Sequence, residues 1–361
     1  MSEDEAVPDP SPQPVPDPVT DVEWPGISVV MPVLDEERYL AQAVHRVLAQ
    51  DYPGPIEVVM ALGPSKDRTD EVAARLVGSD PRVRTVANPS GRTPCGLNAA
   101  LAASRYPVVL RVDGHGMLCE GYARRAVELL RSTGAANVGG IMAAEGETTF
   151  ERAVAAAMTS PLGVGAARFH TGGQAGPAET VYLGVFRRQW LTRLGGYDEA
   201  FVRAQDWQLN YRIRQAGGLI WFDPLLRVSY RPRPDLRTLA RQYRDYGRWR
   251  RVVMRVHPGS SGVRYLAPPA ALVAVLLGTM LGIMGIRSGN LWGFLVPGAY
   301  AGGVTVGALV IRRGLSWKAT AALPLVLATM HGSWGLGFLT SPRSIVPRAP
   351  ANSTRSGRPG I

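Results

Sequence analysis

The sequence predicts an α/β domain built on a mainly parallel sheet, followed by an amphipathic helix and then apolar helices long enough to cross a membrane. Three observations predict this. From residue 27 to residue 112, short β-branched apolar runs alternate with stretches of helical spacing. Between Arg237 and Arg255, six arginines recur at intervals of four and three. Two uncharged runs of 21 residues, Leu266–Ile286 and Leu291–Ile311, are followed by a third, Ala319–Pro342.

The chain opens on residues 1–25, which hold seven acids, many prolines and no Lys or Arg. Such a segment buries too little apolar surface to offset its ordering entropy and is expected to be a disordered tail. It has no basic stretch leading into an apolar core, so no signal peptide is expected and the following body should stay in the cytoplasm. The formal net charge of +11 conceals an asymmetry, because all 40 Lys and Arg lie beyond the tail against 22 acids. A basic body points to anionic lipid, phosphorylated ligands or nucleic acid. Two cysteines without paired spacing, Cys95 and Cys119, exclude a disulfide framework and a zinc cluster, and both are expected as small buried hydrophobes.

In the body, strands are expected over Ile27–Met31, Ile56–Ala61, Val83–Ala87 and Val108–Val112, with helices over Leu40–Ala49, Asp70–Leu76 and Cys95–Ala103. Alternation of this kind gives βαβ units, whose ligands sit beyond the carboxyl ends of the strands. The residues there are Pro32–Glu37, Gly63–Thr69, Asn88–Arg92 with Asn98 in the next helix, and Asp113 with His115. Together they suit a phosphate-bearing ligand held by backbone amides, an arginine and a metal. Asp113 and His115 are two apart at a strand end, so they are expected to point the same way and converge on a divalent ion. The Gly- and Ala-rich stretch Ser160–Glu179 reads as a mobile flap, with His170 as an ordinary loop histidine.

Arg237, Arg241, Arg244, Arg248, Arg251 and Arg255 form one face of a helix spanning residues 236–260, opposite Leu239, Tyr243, Trp249 and Val253. A like-charged stripe backed by apolar residues reads as a helix on an anionic membrane surface. That anchor accounts for the positive charge, so nucleic acid is not expected as a partner. Segments 266–286 and 291–311 are expected to cross about 30 Å of hydrocarbon. Segment 319–340 holds Pro324, His331 and Ser333 and is expected to cross or re-enter. Arg312, Arg313 and Lys318 place the second connection in the cytoplasm. Three crossings would then put the basic tail 343–361 outside, so either the third segment does not cross or the charge bias fails here.

Several stretches resemble the family 2 glycosyltransferases. Ser28–Glu37 (SVVMPVLDEE) is similar to that family's opening strand and acidic loop. Gly63–Thr69, Asn88–Asn98 and Asp113-Gly114-His115 fall where it places its sugar-nucleotide loops and D-x-D metal motif. Thr180–Asp198 resembles its acceptor-side strand and Gly-Gly-aromatic-Asp turn, and Gln205–Arg212 its E-D-x-x-L-x-x-R segment. The resemblance covers roughly residues 27–255 and is nearest to membrane-attached bacterial enzymes that build exopolysaccharide or lipid-linked glycans. It implies a GT-A fold over residues 26–235, a Rossmann-like mixed sheet with flanking helices.

The same resemblance implies roles. Pro32, Val33, Asp35, Glu37, Gly63, Asp67, Arg92, Asn98 and Asp113 would bind the nucleotide-sugar donor. Asp113 and His115 would hold a divalent metal, Mn2+ rather than Mg2+, since imidazole is the more natural ligand for manganese. Asp206 would be the base that deprotonates the acceptor, with Gln205, Trp207, Gln242, Arg248 and Trp249 on the acceptor side. Three positions depart from the family pattern: Leu62-Gly63 replaces an acidic pair that reads the base, His115 replaces the second Asp, and Gln205 replaces a Glu. The expected activity is inverting sugar transfer to a polyprenyl-diphosphate-linked or saccharide acceptor, at the cytoplasmic face of a bacterial plasma membrane. A processive synthase is the alternative enzyme, although five residues separate Gln242 from Arg248 where the synthases' Q-x-x-R-W element has two. A membrane scaffold that keeps the fold without the chemistry is the alternative of another class.

Overall fold

The structure is a computed structural model, and it describes residues 19–260 and 262–345. Four parallel strands make one half of the sheet: β1 (Ile27–Val33), β2 (Ile56–Leu62), β3 (Val83–Ala87) and β4 (Val108–Arg111). The other half contains β5 (Met117–Leu118), β6 (Asn137–Ala144), β7 (Gly176–Pro177), β8 (Tyr182–Arg187) and β9 (Ile220–Tyr230). Among the described residues these form one sheet in the order β3-β2-β1-β4-β8-β6-β9-β5, with β7 also on β9. Strand β8 runs antiparallel to both β4 and β6, and so joins the two halves.

The helices of the domain are α1 (Leu40–Leu48), α2 (Thr69–Ser79), α3 (Thr93–Ala103), α4 (Tyr122–Thr133), α5 (Thr149–Met158) and α6 (Gln205–Gln215). Alternate residues of each strand serve opposite cores. Val29, Met31, Val58, Met60 and Leu110 pack with Val44, Ala73 and Val127 on one face. Val30, Val59 and Val109 pack with Leu97, Leu209 and Ile213 on the other. A sheet buried on both faces explains why its parallel strands read as unbroken apolar runs.

Two expectations need correction. Residues 19–25 are not a free tail: Val19 is buried in the first core, and Trp24 stands edge-on to Tyr52 with Arg124 over its ring. The remainder of the expected tail, residues 1–18, lies outside the described residues, as do residues 346–361 of the basic tail. Cys95 and Cys119 are free and only half-buried, with sulfurs directed to Glu199 and the Leu225 carbonyl.

The arginine-striped segment is α7 (Leu236–Val256), followed by α8 (Ala267–Gly285), α9 (Leu295–Ile311) and α10 (Trp317–Leu339). The last three are long and apolar enough to cross a membrane, with mean hydropathy falling from 2.1 to 1.8 and 1.3. The lowest value has a cause: α10 packs against the α/β domain. Ala319, Leu323 and Val326 share a buried cluster with Ala153, Val154 and Ala157 of α5. Further along, a Cβ on Gly247 of α7 would meet the Trp334 carbonyl oxygen at 2.0 Å, so only glycine allows that approach.

Candidate active site

Arg111, the last residue of β4, is the pivot of the site. It is 3% exposed and carries a charge that must be paired to be tolerated there. Its Nε and Nη2 donate to Asp113 Oδ1 at 3.2 and 2.9 Å. Its Nη1 donates to the Asp206 carboxylate from the opposite side. Asp113 follows the end of β4 by two residues, near enough for its carboxylate to fold back onto Arg111. Asp206 arrives on the first turn of α6, after Ala204 in a left-handed conformation at φ 59°.

The three groups titrate differently. Burial pushes the Asp206 carboxyl up to about 6, and the Arg111 guanidinium only partly offsets it. Burial also disfavours the charged form of Asp113, but there Arg111 and His115 prevail and its pKa lies below the usual carboxylate range. Arg111 is held above its ordinary value, because the two carboxylates overcome its burial. The arrangement is an ionised acid beside one poised near neutrality.

His115 turns toward the acidic loop after β1, with Nδ1 2.6 Å from Glu36 Oε1. Burial lowers the imidazole's pKa, but the Glu36 carboxylate more than offsets it and the net shift is upward. Gly114 permits this approach, since a Cβ there would lie 2.9 Å from Glu36 Cγ. Asp113 and His115 therefore have different partners, Arg111 and Glu36, although each still feels the other's charge. Among the described residues, no three His, Cys, Asp or Glu side chains are grouped to hold a metal ion.

The site opens into a cavity of about 2070 Å³ lined by Pro32, Val33, Asp35, Glu37, Asp67, Asp113, His115, Gln205, Asp206, Trp207, Gln242 and Trp249. Its lining continues to Ala267 and Pro268 at the start of α8, and to Tyr300 and His331 in the apolar helices. Gly63, Arg92, Asn98 and Arg248 are not in the lining. The Asn98 side chain clamps the backbone of Tyr197, donating to its carbonyl and accepting from its amide, both at 2.8 Å. Arg92 Nη1 donates to the Glu199 carbonyl at 3.3 Å, which braces the same turn. Gly63 lies where a Cβ would crowd Leu34 and Gly91. Arg248 faces Asp245 at 3.8 Å.

Three of the acids in the lining also stitch two loops together. Asp35 Oδ1 accepts the Lys66 amide at 2.7 Å, Glu37 Oε2 the Arg68 amide at 3.0 Å, and Asp67 Oδ2 the Glu37 amide at 3.2 Å. The flap over residues 160–179 contains two short helical turns, Pro161–Val164 and Arg168–Thr171. Burial pushes the His170 imidazole down to about 4, so it is neutral. Sequence reasoning missed Arg111 and gave Glu36 only as a member of the Pro32–Glu37 loop. A signal existed for the first, a lone charge in the apolar run Pro107–Val112.

A parallel half-sheet carries acidic loops at its carboxyl edge, and a carboxylate from a following helix lines the same cavity, an arrangement that suits a glycosyltransferase. Residues 28–195 match the family described as "Glycosyl transferase family 2". A "Succinoglycan biosynthesis protein ExoA" from Rhizobium meliloti (strain 1021) is 32% identical over 316 residues, covering 86% of this chain and 93% of the relative. The chain belongs to glycosyltransferase family 2. A second relative, 20% identical over 267 residues (72% of this chain and 82% of its own), comes from Methanococcus voltae. It is described as dolichyl N-acetyl-alpha-D-glucosaminyl phosphate 3-beta-D-2,3-diacetamido-2,3-dideoxy-beta-D-glucuronosyltransferase. Among solved structures, the mannosyltransferase PcManGT from Pyrobaculum calidifontis, in complex with GDP-Man and Mn2+, superimposes with a TM-score of 0.54. It is 17% identical, and the match covers 91% of this chain and 89% of that one. The likeness establishes the GT-A fold.

Proposed function

We propose that this protein transfers a sugar, with inversion, from a nucleoside-diphosphate donor to a lipid-linked or saccharide acceptor at the cytoplasmic face of a bacterial plasma membrane. The pathway would be exopolysaccharide or cell-envelope glycan synthesis; the Rhizobium relative is named for succinoglycan biosynthesis. The observation that carries the reading is the Arg111-bridged pair of Asp113 and Asp206, in a cavity that runs from the strand edge to the apolar helices.

In the proposed reaction the acceptor hydroxyl attacks the anomeric carbon, the bond from that carbon to the diphosphate breaks, and the nucleoside diphosphate leaves. Asp206 takes the hydroxyl proton. A base with pKa about 6 is mostly ionised at neutral pH and still accepts a proton readily. Arg111 fixes its orientation toward Asp113. Asp113 and His115 are the residues that would hold a divalent cation, one oxygen and one nitrogen donor, with the donor's phosphates supplying the remainder. A carboxylate–imidazole set fits manganese better than magnesium. When bound, such an ion neutralises charge on the departing diphosphate.

The test is a screen of nucleotide sugars for hydrolysis by the purified full-length protein with Mn2+. One or a few donors should turn over, and turnover should fall on chelation. No turnover of any donor, with or without membrane lipid extract as acceptor, would remove the proposal and favour the non-catalytic scaffold.

A further inference from the structure

Arg250 breaks the pattern of its helix. On α7 it continues the row Leu239, Tyr243, Tyr246, at steps of four, three and four, and so lies on the apolar face rather than on the arginine stripe. It has no acidic partner among the described residues, and its Nη1 is buried without a hydrogen bond. Two rings sandwich the guanidinium: Trp207 at 5.0 Å and Tyr265 at 3.9 Å from their centroids. Trp207 follows Asp206 directly, and its indole Nε1 is also buried without an acceptor. A second cation, Arg264, lies 4.8 Å from the centroid of the Tyr265 ring and is tied to Glu179 at 2.8 Å.

A half-buried guanidinium whose Nη1 is buried and unpaired is costly unless something anionic joins it. Burial presses its pKa down, as does the nearby Arg264, and Tyr265 and Glu179 offset them only in part. We infer that Arg250, with Trp207 Nε1 and Arg264, forms a binding subsite for the phosphate of a prenyl-linked acceptor. The inference rests on the lipid-linked form of the reading above. Position favours a lipid phosphate over a free one. Tyr265 stands two residues before α8, and the cavity wall continues from it through Ala267, Pro268 and Ala271, an apolar path for a prenyl tail. Asp206 and Arg250 line the same cavity, so an acceptor held by its phosphate here shares that space with the base.

The experiment is calorimetric titration of the full-length protein in detergent with farnesyl diphosphate, inorganic pyrophosphate and the nucleoside diphosphates UDP and GDP. Farnesyl diphosphate should bind the unaltered protein more tightly than pyrophosphate does. Arg250→Gln should weaken it by about tenfold or more, and Arg250→Lys should recover part of the loss. Nucleoside diphosphate affinity should move by less than about twofold. Equal farnesyl diphosphate affinity in Arg250→Gln overturns the subsite, and pyrophosphate binding as tightly as farnesyl diphosphate overturns its lipid assignment. Parallel loss of nucleoside diphosphate binding assigns Arg250 to the donor instead, which also overturns it. Should Arg250→Gln not fold, Arg264→Gln carries the test, with about threefold weakening expected and no change contradicting the subsite. Arg250-dependent binding without any sugar-nucleotide turnover supports the subsite while removing the transferase reading.

Discussion

Arg111 decides how the two carboxylates of the site differ. Each suffers burial, yet Asp113 emerges below its usual range and Asp206 rises to about 6. Because Asp206 is a base only when ionised, kcat/KM should rise with pH along a limb centred near 6 and level off above it. Arg111→Met removes the charge that favours the ionised form, so the limb should move up by roughly one unit or more. An unmoved limb would show that another group titrates. Gln205 replaces a neighbouring acid that would raise the base's pKa, and burial supplies that rise instead. The proposed metal pair makes a separate prediction: His115→Ala should raise the Mn2+ concentration needed for half-maximal turnover by about tenfold or more. An unchanged requirement would exclude the imidazole as a ligand. The sequence showed Asp113, His115 and Asp206 as residues but not their partners. Arg111 and Glu36 join them only because β4, α6 and the β1 loop meet at one edge, which is a property of the sheet order.

At the scale of elements, periodicity was legible wherever one rule held over a whole segment. The strands β1 to β4 and the helices between them stand where alternation placed them, within a few residues at their ends. The stretch after Asp113 was less readable. Strand β6 carries Gly139 and Gly140 and shifts register against both neighbours, so it gives no clear period, and α5 has alanine at four of its ten positions. The stripe of α7 was legible, but its surroundings were not. Arg251 lies over Phe338 at 4.8 Å, and Arg255 donates to the Ser341 and Pro342 carbonyls at 2.8 and 2.9 Å. Part of the stripe thus fastens α7 to the end of α10, while Arg237, Arg241 and Arg244 stay exposed. Gly247→Val should therefore separate the two helices and destabilise the protein by about 1–3 kcal/mol, seen as a lower thermal midpoint in detergent. A midpoint equal to that of the unaltered protein would mean that the helices do not pack this closely.

On the scale of the whole molecule, the third apolar helix is the telling element. A helix of 23 residues is about 35 Å long, enough to span hydrocarbon. Yet α5 covers its first half and α7 its second, and both belong with the domain proposed to be cytoplasmic. A helix held along both halves by that domain would lie at the membrane surface rather than across it, and the conflict between three crossings and the basic C-terminal tail would then disappear. Green fluorescent protein fused after Ile361 should fluoresce in cells and alkaline phosphatase at the same point should be inactive; the reverse pattern would restore three crossings. In this arrangement the donor edge, the base and the entry to the apolar helices share one cavity. The central claim is that Asp206 removes the acceptor's proton, and its most direct measurement is single-turnover sugar transfer by Asp206→Asn beside donor binding by the same variant. The account predicts transfer reduced by about a thousandfold or more with donor affinity nearly intact; transfer at the unaltered rate would contradict it.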